Sequence, residues 1–365
     1  MPLIKKPVYI IAEAGVNHNG RRDYAFQLVE SAADAGADAV KFQTFKASKL
    51  ASAFVEKALY QKSTTSAAES QREMLAKLEL PEAWHGELQS HARACGIEFL
   101  STAFDEESLR FLETLHLPLY KVPSGELTNA PLLWQFARTG KPLIISTGMS
   151  TLSEVEAGLA IVAHALHVME EPQSMEDVWQ CWSNPDARAT LHGHVTLLHC
   201  TSQYPTPWPD VNLRAMDTMA AAFGLDVGYS DHTEGLVIPI AAVARGAVVI
   251  EKHFTLDRTL PGPDHPASID VAGLKQLVGD IRALEEALGD GVKSPKASEW
   301  DTRRVARQSI VATRLIPAGK MIARDDLTTA RTGGGLPPHM LWALLGTTCP
   351  KSHAAGEMFE SCTSP

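Results

Sequence analysis

Residues 226–254 read DVGYSDHTEGLVIPIAAVARGAVVIEKHF. Two short β-prone runs, DVGYS (226–230) and VVIEKHF (248–254), flank a helix-forming stretch over 236–245. Strand, helix and strand at this spacing predict a right-handed parallel crossover. The same unit recurs upstream. Further runs are VYIIA (8–12), AVKFQ (39–43), IEFLST (97–102), LYKV (119–122), LIIST (143–147) and VTLLHC (195–200). Helical patterns over 24–35, 82–94, 107–115 and 152–165 lie between them. Eight strand–helix units predict a closed (β/α)8 TIM barrel, with a doubly wound open sheet as the structural rival.

The barrel should close with a helix over 271–288. Residues 289–304, polar with Gly and Pro, read as a linker. Residues 305–365 then form a small, mainly β domain, so the expected organisation is 1–288, 289–304 and 305–365. Two connections are long. Residues 44–96 contain AESQREMLAKLEL, a charged amphipathic helix, and 166–194 form a second excursion. Both read as surface elaborations, with a lid as the lesser alternative.

Composition narrows the function. The chain has 365 residues, 45% hydrophobic and 21% charged, as in a globular protein with a full core. A net charge of −10 argues against a general nucleic-acid binder. Five cysteines without CxxC spacing, Cys95, Cys181, Cys200, Cys349 and Cys362, argue against a disulfide scaffold or a structural zinc site. They fit reduced thiols in a cytoplasm. The apolar run at 8–12 is too short for a signal sequence and reads as a buried first strand. No stretch is long and apolar enough for a membrane span.

In such a barrel the active site forms at the carboxyl ends of the strands. Polar residues collect there on every run: Glu13, Asn17 and His18; Lys41, Gln43 and Thr44; Ser101, Thr102 and Asp105; Lys121, Ser124 and Glu126. The series continues with Ser146 and Thr147; His199, Thr201, Ser202 and Tyr204; Ser230, Asp231 and His232; Glu251 and His253. Alternate residues of a strand share a face. Lys41 therefore goes with Gln43, Ser230 with His232, and Glu251 with His253. His232 and His253 on neighbouring strands suggest a divalent transition metal with open positions for substrate oxygens. Packed, hydrogen-bonded histidines are the alternative. Glu251 reads as a ligand or as a group orienting an imidazole. Lys41, Lys121 and the serines suit an anion, although any serine could instead cap a helix. DRTLPGPDHPAS (257–268) is a stiff loop that should hold Asp264 near the mouth.

The motifs AEAGVNHNG, AVKFQTF, STAFDEESL, KVPSGEL, IISTGMS, LLHCTSQYPTP, VGYSDHTEG, IEKHFTLDRTLPGPDHPAS and ARTGGG together resemble the N-acetylneuraminate (sialic acid) synthase family, from about Tyr9 to Ala355. The resemblance implies condensation of phosphoenolpyruvate with N-acetylmannosamine. A legionaminic acid synthase using 2,4-diacetamido-2,4,6-trideoxymannose is the near alternative, and a non-catalytic glycan-binding protein the distant one. It implies a C-terminal SAF (antifreeze-like) domain and a domain-swapped homodimer. It implies His232 and His253 as metal ligands, for Mn²⁺ first and Mg²⁺ or Co²⁺ otherwise. Phosphoenolpyruvate contacts fall on Lys41, Gln43, Lys121, Ser124, Ser146, Ser202 and Ser230. Sugar contacts fall on Glu13, Glu126, Tyr204 and Asp264, with Arg331 supplied by the partner subunit. Glu13, Glu126 and Asp264 are the candidates for proton transfer. Thr332 stands where the family often has proline, and Ser202 where relatives often carry Asn or Thr.

Overall fold

The computed structural model describes residues 7–52, 57 and 69–360. It divides into two compact units, 1–289 and 290–365. All eight expected strands form: β1 (Tyr9–Gly15), β2 (Ala39–Thr44), β3 (Glu98–Ala103), β4 (Tyr120–Val122), β5 (Leu143–Ser146), β6 (Val195–His199), β7 (Asp226–Asp231) and β8 (Val249–Thr255). Their order in the sheet is β3-β2-β1-β8-β7-β6-β5-β4, with parallel pairing between neighbours. β3 lies against β4 and brings the ring near closure. The first unit is thus a TIM-type barrel; the open sheet is set aside.

The helices between strands turn apolar stripes onto the outside of the ring. The helix Arg22–Asp34 buries Ala25, Leu28, Val29 and Ala32, at i, i+3, i+4 and i+7. Inside the ring, Ile11, Ala39, Leu100, Ile144, Leu198 and Val249 form a separate packed layer. Each strand's pleat returns to that face two residues later. There the inward side chains turn polar: Glu13, Lys41, Thr102, Ser146 and Glu251. The apolar plug therefore lies directly beneath the site.

The second excursion forms two helices, Met175–Trp182 and Pro185–Ala189, packed on the helix Leu152–His167. Of the first excursion, the described part includes Ala47–Leu50 and Gln71–Ala76, both helical. Residues 53–56 and 58–68, with the start of AESQREMLAKLEL, lie outside the described residues.

In the second unit, β9 (Gln308–Ala312) and β10 (Leu327–Arg331) pair antiparallel over a small core of Ile310, Ile316, Ile322, Leu327 and Phe359. Single bridges from Val311 to Met358 and from Ile316 to His353 extend the pairing. The barrel is therefore followed by a small β unit. The expected linker is not wholly irregular: Ala297–Glu299 makes a 3-10 turn and Trp300–Ala306 a short helix. Its Gly and Pro are confined to 289–295, and the stretch after them has no helix breaker. Arg331 ends β10 and is exposed. The Thr332 hydroxyl donates to the Gly334 carbonyl, bracing the turn after Arg331 by a hydrogen bond where a proline would use its ring. Cys95, Cys181, Cys200 and Cys349 are free thiols, and Cys362 lies outside the described residues.

Candidate active site

At the carboxyl ends of the strands lies a cavity of about 440 Å³. Its strand-end walls carry Glu13, Lys41, Gln43, Thr102, Lys121, Ser124, Ser146, Ser202, Tyr204, Ser230, His232, Glu251 and His253. Sheet register brings them together. Glu13 pairs with Lys41 on one side and His253 on the other, and Ser230 pairs with Glu251.

Four buried charges form the floor. Lys41 Nζ lies 2.5 Å from Glu13 Oε2 and 3.4 Å from Glu251 Oε2, and it donates to Thr102 Oγ1 at 3.1 Å. Lys121 Nζ is 3.7 Å from Glu251 Oε1 and donates only to the Val122 carbonyl, at 3.3 Å. The two lysines are not equivalent. Burial acts to lower the Lys41 pKa, but Glu13 and Glu251 outweigh it and hold the ammonium above its ordinary value. Burial lowers Lys121, and repulsion from Lys41 adds to it, against the opposing pull of Glu251. Burial raises the Glu13 carboxyl despite Lys41. Glu251 stays below the ordinary carboxylate range: burial opposes ionisation, but Lys121, Lys41 and the Ser230 hydroxyl (2.8 Å) prevail.

Beside the lysines is a nest of hydroxyls. Ser124 Oγ accepts from Gly148 N at 3.0 Å and touches Cys200 Sγ at 3.2 Å. A Cβ on Gly148 would stand 2.4 Å from Ser202 Oγ and 2.8 Å from Ser124 Oγ, so only glycine lets its backbone approach this closely. Ser146 Oγ is buried without a hydrogen-bond partner. Unsatisfied hydroxyl and ammonium groups around one space are the makings of an anion site.

The ring centroids of His232 and His253 are 5.6 Å apart, with the Tyr204 ring tilted beside His232 at 4.2 Å. Burial lowers the pKa of both, so both rings are neutral donors. His232 Nδ1 is hydrogen-bonded to the Thr201 carbonyl at 2.7 Å, which leaves Nε2 for a ligand. His253 Nδ1 is buried and has no hydrogen-bond partner. These features fit a divalent transition metal. No group of three His, Cys, Asp or Glu side chains gathers around one point among the described residues. A metal on the two imidazoles would thus complete its shell with water and substrate oxygens.

Two expected site residues of the barrel unit stand apart. Asp264 is buried, with Oδ2 3.8 Å from His253 Nδ1, but it does not line the cavity. Burial, with a smaller contribution from Glu13, pushes its carboxyl up to about 7. Glu126 accepts from Asn129 Nδ2 at 2.6 Å and lies outside the lining, because Ser124–Glu126 makes a 3-10 turn that breaks the strand's alternation. Arg331 belongs to the second unit, where it is exposed.

Several polar strand ends also face away from the mouth. Thr44 bonds to His85 and Ser101, Thr147 to the Leu198 carbonyl, and His199 to the Val211 carbonyl. Asp231 and Lys252 pair behind β7 and β8 at 2.5 Å. Polarity at a strand end therefore does not by itself mark the site; parity must be added. Sequence reading leaves Thr102 without a role, although it sits two residues beyond the inward Leu100. It also reads the first excursion as surface, whereas Leu50, Ala51, Gln71 and Leu75 from that segment line the cavity.

A barrel mouth with a paired-charge floor, a hydroxyl nest and two neighbouring imidazoles is built for a small anionic substrate and a second, oxygen-rich one. The chain belongs to the NeuB family, whose model matches residues 28–293. It is an enzyme, a carbon–carbon bond-forming synthase that condenses phosphoenolpyruvate with a sugar. The non-catalytic glycan-binding reading is thereby set aside. The chain is 44% identical to the N,N'-diacetyllegionaminic acid synthase of Campylobacter jejuni, over 97% of this chain and 99% of that one. It is 46% identical to the enzyme of the same name from Legionella pneumophila, over 95% and 92%. Among solved structures, the N-acetylneuraminic acid synthetase of Leptospira borgpetersenii is similar, with 31% identity and a TM-score of 0.65 over 82% of this chain and 91% of that one. No helix among the described residues is long and apolar enough to cross a membrane.

Proposed function

We propose that the acceptor is 2,4-diacetamido-2,4,6-trideoxymannose, so that the chain makes N,N'-diacetyllegionaminic acid. The observation that carries this is the 44% and 46% identity, over nearly full length, to two proteins named for that product. The sequence motifs place N-acetylmannosamine first. The lower identity, 31%, to the sialic acid synthetase supports reversing that order.

Phosphoenolpyruvate brings a phosphate and a carboxylate. Lys121 is the ammonium with the least counter-charge, and an arriving anion supplies what Glu251 alone does not. Ser124, Ser146, Ser202 and Ser230 hold the remaining oxygens, with Lys41 and Gln43 beside Glu13 at the other end of the floor. Fixing both anionic groups aims C3 at the sugar's open-chain C1 and removes the entropy of encounter from the barrier. C3 bonds to C1, water adds at C2, and phosphate leaves with its C2–O bond. His232 and His253 would hold Mn²⁺, which supplies Lewis-acid polarisation of the sugar carbonyl. Glu13, in the cavity and with a raised pKa, is placed to hold and release a proton. Asp264, buried beside His253 with a raised pKa, is the second candidate for proton transfer. The 290–365 unit acts as an SAF-type domain in a domain-swapped homodimer, and Arg331 of one copy serves the sugar site of the other.

The test is phosphate release from phosphoenolpyruvate with Mn²⁺, with the two sugars offered in parallel. Release at least tenfold faster with the diacetamido-trideoxy sugar is expected; preference for N-acetylmannosamine overturns the reading. Chelation should abolish release, and Mn²⁺ should restore it in the wild type only. H232A should also lose Mn²⁺ binding, read by electron paramagnetic resonance.

A further inference from the structure

The cavity has a second wall that the chemistry above does not use. Leu50 and Leu75 come from the first excursion and Phe104 follows β3. All three are only half-buried and line the cavity. Behind them Val16, Phe45, Met74 and Leu78 form a small buried cluster on which they pack. The wall is thus backed by its own core, apart from the barrel core. Every charged group of the lining lies on the opposite, strand-end side.

The sugar's position follows from its chemistry. Its C1 must meet the phosphoenolpyruvate held at the strand ends, so C4 to C6 extend toward the loops, where the apolar wall stands. N-acetylmannosamine would present O4 and O6 hydroxyls there. Leu50, Leu75 and Phe104 cannot bond them, Gln71 adds one amide from the same segment, and desolvated hydroxyls without partners are costly. A 6-deoxy, 4-acetamido sugar presents two methyl groups to the leucines and the phenylalanine, with Gln71 in the same lining to meet its amide.

We infer that Leu50, Leu75 and Phe104 determine acceptor specificity by receiving the C6 methyl and the C4 acetamido methyl of a deoxy-acetamido sugar. This rests on the acceptor reading above. It adds which residues make the choice, and it assigns the first excursion a role in selection. A hydrophobic pocket of this kind discriminates about 10–200-fold between neighbouring substrates.

The experiment measures kcat/KM for both sugars in the wild type, in L75Q and in L50Q, with the phosphoenolpyruvate KM and the thermal midpoint as controls. Leu75 is half-buried on a short helix that accepts Gln, and Leu50 lies on a separate helix, so the two variants probe the wall from two elements. The ratio of diacetamido-trideoxy sugar to N-acetylmannosamine is expected to fall about tenfold in each variant, with the phosphoenolpyruvate KM unchanged. L75M should keep the wild-type ratio. An equal loss on both sugars, or an unchanged ratio in L75Q and L50Q, overturns the wall as the selector. The wild-type ratio separately decides the acceptor reading: a wild type that prefers N-acetylmannosamine overturns that reading, while the variant ratios still decide the wall.

Discussion

Two buried charge clusters lie on opposite faces of β8. Behind it, Lys252 meets Asp231 at 2.5 Å and also donates to the Thr233 carbonyl, and Asp231 accepts from Thr233 N–H and Oγ1–H. Each charged group there has at least two hydrogen-bond partners. In front, Lys41, Lys121, Glu13 and Glu251 share contacts out to 3.7 Å beside a hydroxyl and an imidazole nitrogen with no partner. Both clusters are almost wholly buried. What separates structure from site is neither charge nor burial but unused hydrogen-bonding capacity facing open space.

The comparison predicts opposite failures. In front, K41M removes an ammonium from the anion site; kcat/KM for phosphoenolpyruvate should drop about 10³-fold per folded molecule, in addition to the stability lost with the Glu13 pairing. A loss of stability without a loss of catalysis would reverse the assignment. Behind, K252A should leave catalysis per folded molecule intact but destabilise by about 3–5 kcal/mol, because Asp231 is left as an unpaired buried charge. D231L/K252M should recover most of that stability in chemical denaturation, since an apolar pair of similar volume needs no counter-charge.

A third cluster sharpens the point through pH. His18 is fully buried outside the cavity, and burial, with repulsion from His85 and His265, pushes its pKa down to about 4. Burial likewise holds His265 at about 4. The folded chain thus keeps both neutral, while the unfolded chain takes up protons below about 6.5. Their stabilisation is complete above pH 6.5 and is lost as pH falls toward 4, about 3 kcal/mol for His18. Denaturant midpoints measured from pH 7.5 to 4.5 should fall accordingly, and H18Q should flatten the slope. The smallest effect is expected at the nest: G148A should raise the phosphoenolpyruvate KM about tenfold, because Ser124 and Ser202 must move.

Much of this was legible in the sequence. Strands of a parallel barrel are buried on both faces, so they read as continuous apolar runs, and all eight were found from DVGYS and its counterparts. Period-two alternation then turned Lys41, Gln43, Ser230, His232, Glu251 and His253 toward one space. Alternation fails where the backbone leaves the strand. Glu126 sits in a 3-10 turn and Asp264 in a loop, and neither lines the cavity. Leu50 and Leu75 were illegible for another reason. Their local pattern is that of an ordinary amphipathic helix, and only the folded barrel decides that its apolar face borders the mouth rather than solvent.

The most direct test of the central claim is calorimetric titration of phosphoenolpyruvate, without sugar, into the wild type, K121M and D231L/K252M. If the front cluster's spare capacity is the anion site, K121M should weaken binding at least 100-fold and the rear double variant should bind like the wild type. Equal affinities for wild type and K121M, or a loss confined to the rear variant, would contradict it.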